Sequence, residues 1–309
     1  MQQEIDISVI IPTFNRSAAL KNCLRAVSAQ ILDGEIEIIV IDDGSSESTL
    51  AVVREQQQAA SRPLRYLRQN NKGPAAARNA GLNIARGRIV LFIGDDIVPA
   101  DDRMLQQHLV WHDRVHPMEN TCILGRTTWL PGLTVTPFMR WLEKGRQFDY
   151  FGLTHGMSTD FWHFYTSNIS LKRRFLGNDR FDERFRFAAY EDVELGYRLM
   201  QRGMKIVYNS AALAHHDHPV SLVDSCGRAV KAGQSRALLE TIVPTSRRRM
   251  SQEKWLAALK IMAVNRVTVP FWLCGARFCE RRCESNLFFS AVYYYYHAEG
   301  YRNARVAGR

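Results

Sequence analysis

Two neighbouring carboxylates, Asp95 and Asp96, close an apolar run of Val90, Leu91, Phe92 and Ile93 that has the composition of a fully buried strand. A second pair, Asp42 and Asp43, closes the run EIEIIVI at residues 35–41, and the apolar residues 7–12 pass into Thr13, Phe14 and Asn15. If these three strands are parallel, their polar ends meet at one sheet edge, outside the carboxyl ends where open α/β sheets bind ligands. Carboxylates approach a diphosphate only through a cation, and Mg2+ or Mn2+ is held by one or two carboxylates plus substrate oxygens. The remaining carboxylates can accept hydrogen bonds from a base N–H or from ribose hydroxyls, and Phe14 can stack on a base. The competing account of any single Asp is a helix cap. Two pairs at two strand ends favour a site. Neither G-x-G-x-x-G nor G-x-x-x-x-G-K-[ST] occurs, which argues against a dinucleotide-binding dehydrogenase and a P-loop NTPase.

Further candidates lie elsewhere in the chain. Glu191 and Asp192 open a predicted helix, where the helix dipole keeps a carboxylate ionised. Such a group can take the proton of an attacking hydroxyl, and its plainer role is a first-turn cap. His215, His216, Asp217 and His218 offer either a metal site of their own or one imidazole for a metal on the diphosphate. Lys72 and Arg78 precede the fourth strand, where a cation can meet a base or diphosphate, or simply face solvent. Glu194 and Arg198, spaced i,i+4, read as a solvated surface pair. Six scattered cysteines suit a reducing compartment better than a disulfide framework.

The elements that must position these groups alternate. Strands are predicted at residues 7–12, 35–41, 64–68 and 88–93, and helices at 17–30, 49–60, 73–85 and 102–116. Residues 121–124 are apolar again. This order implies parallel strands with right-handed crossovers and helices on both faces. Residues 129–164, with two prolines, four glycines and many aromatics, break the pattern as a lid, a binding loop or a packed satellite. Regular structure resumes with a strand at 167–172, a helix at 191–202, a strand at 205–208, and helices at 220–239 and 255–269.

In this order ISVIIPTFNR, IIVIDDGSSESTL, NKGPAAARNAGLNIARGRIVLFIGDD and YEDVELGYRLMQRGMKI resemble the motifs of family 2 glycosyltransferases with the GT-A fold, from about residue 7 to residue 218. The resemblance implies a Rossmann-like, mostly parallel α/β sheet and inverting transfer from a nucleoside diphosphate sugar, with Mn2+ or Mg2+. It assigns Pro12, Thr13 and Phe14 to the nucleoside, with Asn15 beside them, Asp43 to the base and Asp95 to the ribose. Asp96 and His215 fall to the metal. Asp192 becomes the general base, with Glu191 beside it in the same motif, and Asn168 falls on the acceptor side. The sequence has Gly94-Asp95-Asp96 in place of Asp-x-Asp, and it lacks the Gln-x-x-Arg-Trp of processive members, which favours transfer of a single sugar.

The formal net charge is +10, and residues 240–309 hold 12 Lys plus Arg against 5 Asp plus Glu. The excess therefore belongs to the C-terminal part, and it does not point to nucleic acid, for which there is no fold motif. We divide the chain into a glycosyltransferase domain at residues 1–239, with a nucleotide half at 1–116 and an acceptor half at 117–239, and a basic helical extension at 240–309. In that extension Arg247, Arg248 and Arg249, then Lys254, Lys260 and Arg266, lie beside Trp255, Leu256, Leu259 and Ile261, a pattern that suits an anionic membrane surface or an ordinary packed appendage. With no signal-like N-terminus and no long apolar span, a cytoplasmic enzyme is expected, and peripheral contact with the cytoplasmic face of a membrane is one of the two roles open to the extension. A nucleotidyltransferase would carry a Gly-rich, basic N-terminal loop, and a non-catalytic relative would be expected to lose Asp96 or Asp192. Neither departure is seen.

Overall fold

Strand β1 (Ile7–Thr13) is buried except at the half-buried Pro12, as its predominantly apolar sequence requires. It pairs in parallel with β2 (Ile36–Asp42) on one side and β4 (Ile89–Ile93) on the other, and β2 pairs in parallel with β3 (Leu64–Arg68). The crossovers are α1 (Ser17–Ser28), α2 (Thr49–Ala59) and α3 (Pro74–Ile84). Proline at the first turn of α3 costs nothing, because that N–H has no helical partner. On α1, Leu20, Cys23, Leu24 and Val27 form the apolar stripe laid on the sheet. The ends of β1, β2 and β4 therefore share one edge, as the alternation of elements predicts.

This computed structural model describes residues 4–307 apart from 47, 60–61, 146, 148 and 245–263. The expected basic run at residues 247–260 and most of the helix predicted at 255–269 lie outside the described residues.

Beyond β4 the sheet becomes mixed. Its order is β3-β2-β1-β4-β8-β6-β9-β5, with β8 at Asn168–Lys172, β6 at Thr121–Trp129, β9 at Lys205–His216 and β5 at Ile97–Pro99; β7 (Ser158–Thr159) pairs with β9. Strand β8 runs antiparallel to both β4 and β6. Periodicity marks it as a strand but says nothing of its direction, because the segment before it is long and irregular. That segment contains β7 and a short helix, α5 (Pro137–Glu143), and a single turn of helix, α6 (Arg173–Leu176), follows β8. Strand β9 runs eight residues past its predicted end, through an Ala-rich stretch whose weak strand propensity is overridden by pairing with β6 across a register shift at Gly125/Arg126. The helix predicted at 102–116 is α4 (Met104–Val110) followed by a π-helical turn, Trp111–Val115.

Two compact units emerge. The first comprises Met1–Gly132, Gly152–Arg186 and Leu195–His218 and holds the sheet; the second comprises Leu133–Phe151, Phe187–Glu194 and Pro219–Arg309. The division expected at residue 239 falls within α8 (Leu222–Ile242), which continues through it. Within the second unit, α8 and α10 (Asn286–Ala307) cross closely. A side chain at Gly233 would strike the backbone of His297, and one at Gly300 would strike that of Val230. Phe138 and Trp141 of α5 pack on Phe289 of α10. Among the described residues no helix is long and apolar enough to cross a membrane.

Candidate active site

The carboxyl edge is organised by hydrogen bonds between strand ends. Thr13 Oγ1 donates to Asp95 Oδ2 at 2.8 Å, tying β1 to the turn after β4. Asn15 adopts φ 53°, a left-handed conformation that Asn tolerates. Its Oδ1 accepts from Ser46 N at 2.8 Å, and its own N–H donates to Ser45 Oγ at 2.9 Å. Asn15 thus splices the end of β1 to the loop after β2. Between them Phe14 projects with 45% of its surface exposed, and Pro12 precedes it opposite Ile41.

The two carboxylates after β2 do different work. Asp42 is buried and accepts from Ser45 N (2.8 Å) and Tyr66 Oη (2.7 Å); these bonds outweigh its burial and hold it below the usual carboxylate range. Asp43 reaches the 69–73 loop, accepting from Gln69 Nε2 (2.7 Å), Lys72 N (2.9 Å) and Gly73 N (2.8 Å). It therefore shapes the loop that leads into α3. In α3, Arg78 is buried with its guanidinium over the Phe181 ring, 5.5 Å from the centroid, so it is not the solvated face residue of the alternative account.

Asp95 and Asp96 are both buried. Arg16 Nη1 donates to Asp96 Oδ2 at 2.5 Å and to Asp95 Oδ1 at 3.3 Å. Burial and then the charge of Asp96 push Asp95 up to about 6. Burial would push Asp96 up as well, but the His216 ring and the charge of Arg16 outweigh it and hold Asp96 below the usual carboxylate range. Gly94 has a steric reason to lack a side chain: a Cβ there would sit 2.8 Å from Asp96 Oδ1.

His216 Nε2 lies 3.3 Å from Asp96 Oδ2. The contact follows from β5, which begins immediately after the acid pair and sets Ile97 opposite His216, while Asp217 N donates to Asp96 O at 2.7 Å. Side chains alternate along a strand. The neighbouring His215 consequently faces away, pairs with Thr128 Oγ1 at 3.0 Å, and has its pKa lowered by burial. The structure thus brings His216 to Asp96, where the resemblance had assigned His215. Sequence reasoning did not single out Arg16, and it named His216 only as one of a run of histidines, with His215 preferred by the resemblance. The parity of the His pair is set by the β5–β9 register, which no local signal reveals.

The Glu191-Asp192 motif belongs to the second unit and opens α7 (Glu191–Gln201). Tyr190, just before it, sits at φ 68°, an uncommon conformation for a bulky residue. The Arg236 guanidinium lies over its ring, 5.6 Å from the centroid. Asp192 is partly exposed, and its Oδ1 accepts from Val193 N at 2.8 Å; Glu191 is buried. Further along, Glu194 is buried rather than solvated, and Arg198 donates to Asp179 Oδ1 at 3.0 Å. Asn168, expected on the acceptor side, is also buried: it donates to Ala212 O at 2.8 Å and accepts from His108 Nε2 at 2.9 Å.

A sequence model of glycosyl transferase family 2 matches residues 8–165, just over half of the chain. The chain belongs to glycosyl transferase family 2. This family 2 protein is 26% identical over 313 residues to the chondroitin synthase of Escherichia coli, covering 91% of this chain and 44% of that one. It therefore spans less than half the length of that relative. Among solved structures it is similar to the mannosyltransferase PcManGT from Pyrobaculum calidifontis in complex with GDP-Man and Mn2+, at TM-score 0.63 and 14% identity, over 100% of this chain and 89% of that chain. It is also similar to S. aureus TarS 1–349 in complex with UDP, at TM-score 0.57 and 18% identity, over 99% and 92% of the two chains. The fold is GT-A.

The donor set of this family 2 protein fits a divalent cation. His216 Nδ1 faces the His218 carbonyl at 3.2 Å, which holds the ring in the orientation that turns its Nε2 toward Asp96. Its Nε2 lies 3.3 Å from Asp96 Oδ2, and an imidazole nitrogen beside a carboxylate oxygen is a pair that one divalent cation can take as ligands. Among the described residues no three His, Cys, Asp or Glu side chains gather into an all-protein cage. A Mg2+- or Mn2+-type site, completed by substrate oxygens, needs no such cage.

Proposed function

We propose that this protein transfers a single sugar from a nucleoside diphosphate sugar to an acceptor hydroxyl, with inversion at the anomeric carbon. The observation that carries the reading is the meeting of Thr13, Asp95, Asp96 and His216 at the carboxyl edge of the sheet. Phe14 offers an exposed ring for the base, Asp43 and the loop it shapes border the base, and Asp95 meets the ribose. Arg78, packed on Phe181, contributes positive charge to the nucleotide side. Asp96 and His216 would hold Mn2+ or Mg2+. That ion, when bound, supplies positive charge against the leaving diphosphate.

Asp192 receives the proton of the acceptor hydroxyl as that oxygen attacks. Proton transfer of this kind is worth roughly 10²–10⁴-fold in rate. The N-terminus of α7 favours its ionised form, and Glu191 precedes it in the same turn. The GDP-Man and UDP complexes of the two structural neighbours support a nucleoside diphosphate donor and leave the choice of base to experiment.

The acceptor reading extends to a membrane surface. On α9 (Val269–Glu280), Phe271, Cys274 and Phe278 recur at i, i+3 and i+7 and are exposed. Exposed Val267 precedes them, and exposed Arg277, Arg281 and Arg282 lie beside them. An apolar stripe edged with Arg supports peripheral contact with anionic lipid, as a lipid-linked acceptor would require.

Thermal melting against UDP, GDP, dTDP and CDP, each with Mn2+, Mg2+ or EDTA, tests the donor site. A ligand at 100 times its Kd stabilises by about 2.7 kcal/mol, enough to raise Tm by a few degrees. One nucleotide should stabilise, EDTA should remove the shift, and Asp96→Ala should abolish it. Asp192→Asn should keep the shift and lose transfer. No shift from any nucleotide refutes the donor site; normal transfer by Asp192→Asn refutes the base.

A further inference from the structure

The Asp95–Asp96 pair already has a cation. One guanidinium nitrogen, Arg16 Nη1, reaches both carboxylates, at 3.3 Å and 2.5 Å. Asp95 divides its oxygens, Oδ2 accepting from Thr13 and Oδ1 from Arg16. Asp96 concentrates its contacts on one oxygen, because Arg16 Nη1 and His216 Nε2 both approach Oδ2. Two adjacent buried carboxylates repel each other unless a positive charge lies between them. Arg16 meets that need from an anchored backbone, since the residue before it, Asn15, is bonded to Ser45 and Ser46. Its own side chain is less confined, with 33% of its surface exposed, so it has a way out to solvent.

We propose that Arg16 is the resident counter-ion of the Asp95–Asp96 pair, that a divalent cation must displace it, and that the displaced guanidinium turns to the phosphates of the nucleotide. The inference rests on the reading of Asp96 as a metal ligand. A divalent ion on Asp96 Oδ2 would face the Arg16 guanidinium, 2.5 Å from the same oxygen, and two like charges at that distance repel strongly once desolvated. Once displaced, Arg16 needs another anion, and the diphosphate brings one. Metal and nucleotide binding thereby become coupled, each strengthening the other by the same factor. Arg16 is a positioning residue in this scheme. It sets the order and interdependence of binding and takes no part in moving the acceptor proton.

The test is Mn2+ binding followed by loss of the free-Mn2+ electron paramagnetic resonance signal, with no nucleotide, with UDP and with GDP. Wild type, Arg16→Gln, Arg16→Lys and Asp96→Asn are compared. Wild type should bind Mn2+ about tenfold more tightly with its nucleotide than without, within the usual range of coupling between sites. Arg16→Gln should bind Mn2+ alone more tightly than wild type and lose most of the nucleotide enhancement, and Arg16→Lys should restore it. If Arg16→Gln binds Mn2+ alone no more tightly than wild type, or keeps the full enhancement, the inference is overturned while Asp96 can remain the ligand. If Asp96→Asn binds Mn2+ as wild type does, the metal reading fails and the inference falls with it. Should Arg16→Gln prove less stable, melting in EDTA and in Mn2+ decides. Mn2+ alone should raise its Tm more than that of wild type, and equal gains overturn the inference.

Discussion

Acid should weaken this fold through one buried network, and the size of the effect follows from the geometry. His108 on α4 and His112 on the π-helical turn both face Ser170 of β8, with His108 Nδ1 at 2.8 Å and His112 Nε2 at 2.9 Å from Ser170 Oγ. Asn168 orients the chain of bonds. Its Nδ2 donates to the carbonyls of Arg126 and Ala212, so its Oδ1 must accept from His108 Nε2. His108 Nδ1 is then an acceptor for the Ser170 hydroxyl, and Ser170 Oγ accepts in turn from His112 Nε2. A second proton on His108 would meet the Ser170 hydroxyl proton and force that donor to turn away, and full burial pushes the His108 pKa down to about 4 from 6.5. Between those values the unfolded chain binds a proton that the folded chain refuses. The stability tied to His108 is therefore whole above pH 6.5 and is lost as pH falls toward 4. Going from pH 7 to pH 5 should cost about 2 kcal/mol from this residue alone. Burial pushes His112 down as well, which adds to the loss. Urea unfolding followed by tryptophan fluorescence at pH 7, 6 and 5 measures it. Replacement of His108 by Gln should lower stability at pH 7 yet remove about 2 kcal/mol of the pH dependence. A variant that keeps the whole wild-type pH dependence refutes the assignment. The site shares in this weakening, because Asn168 pairs with Ile93, the last residue of β4 before the acid pair.

The histidine parity gives a sharper test of the metal site. His216→Ala should weaken metal-dependent nucleotide binding about tenfold or more, cutting the melting shift to about half or less, whereas His215→Ala should leave it nearly intact; the reverse result would put the metal on the opposite face of β9. The apolar stripe on α9 predicts binding to vesicles of phosphatidylglycerol and little to phosphatidylcholine. Phe271→Ser with Phe278→Ser should weaken vesicle pelleting several-fold without altering the nucleotide shift, and unchanged pelleting would exclude this helix as the contact.

Much of the chemistry was legible before any tertiary contact was known. The apolar residues of β1, β2 and β4 can only be buried strands, and their spacing from α1, α2 and α3 places them side by side in parallel. Carboxylates that end such strands must then gather at one edge, which is why Asp95, Asp96 and Thr13 could be named from sequence. The Glu191-Asp192 helix start was equally plain. Other features depended on partners far away in the chain. Strand β8 runs antiparallel, β9 extends to His216, and β5 exists only because it pairs with the end of β9. That pairing decides which of two adjacent histidines faces Asp96, and the fold decides that Arg16 closes on both acids. Local sequence encodes the period of an element and the chemistry of its ends. Strand direction, register and the face a side chain presents are set by long-range pairing, and a shift of one residue would exchange His216 for His215.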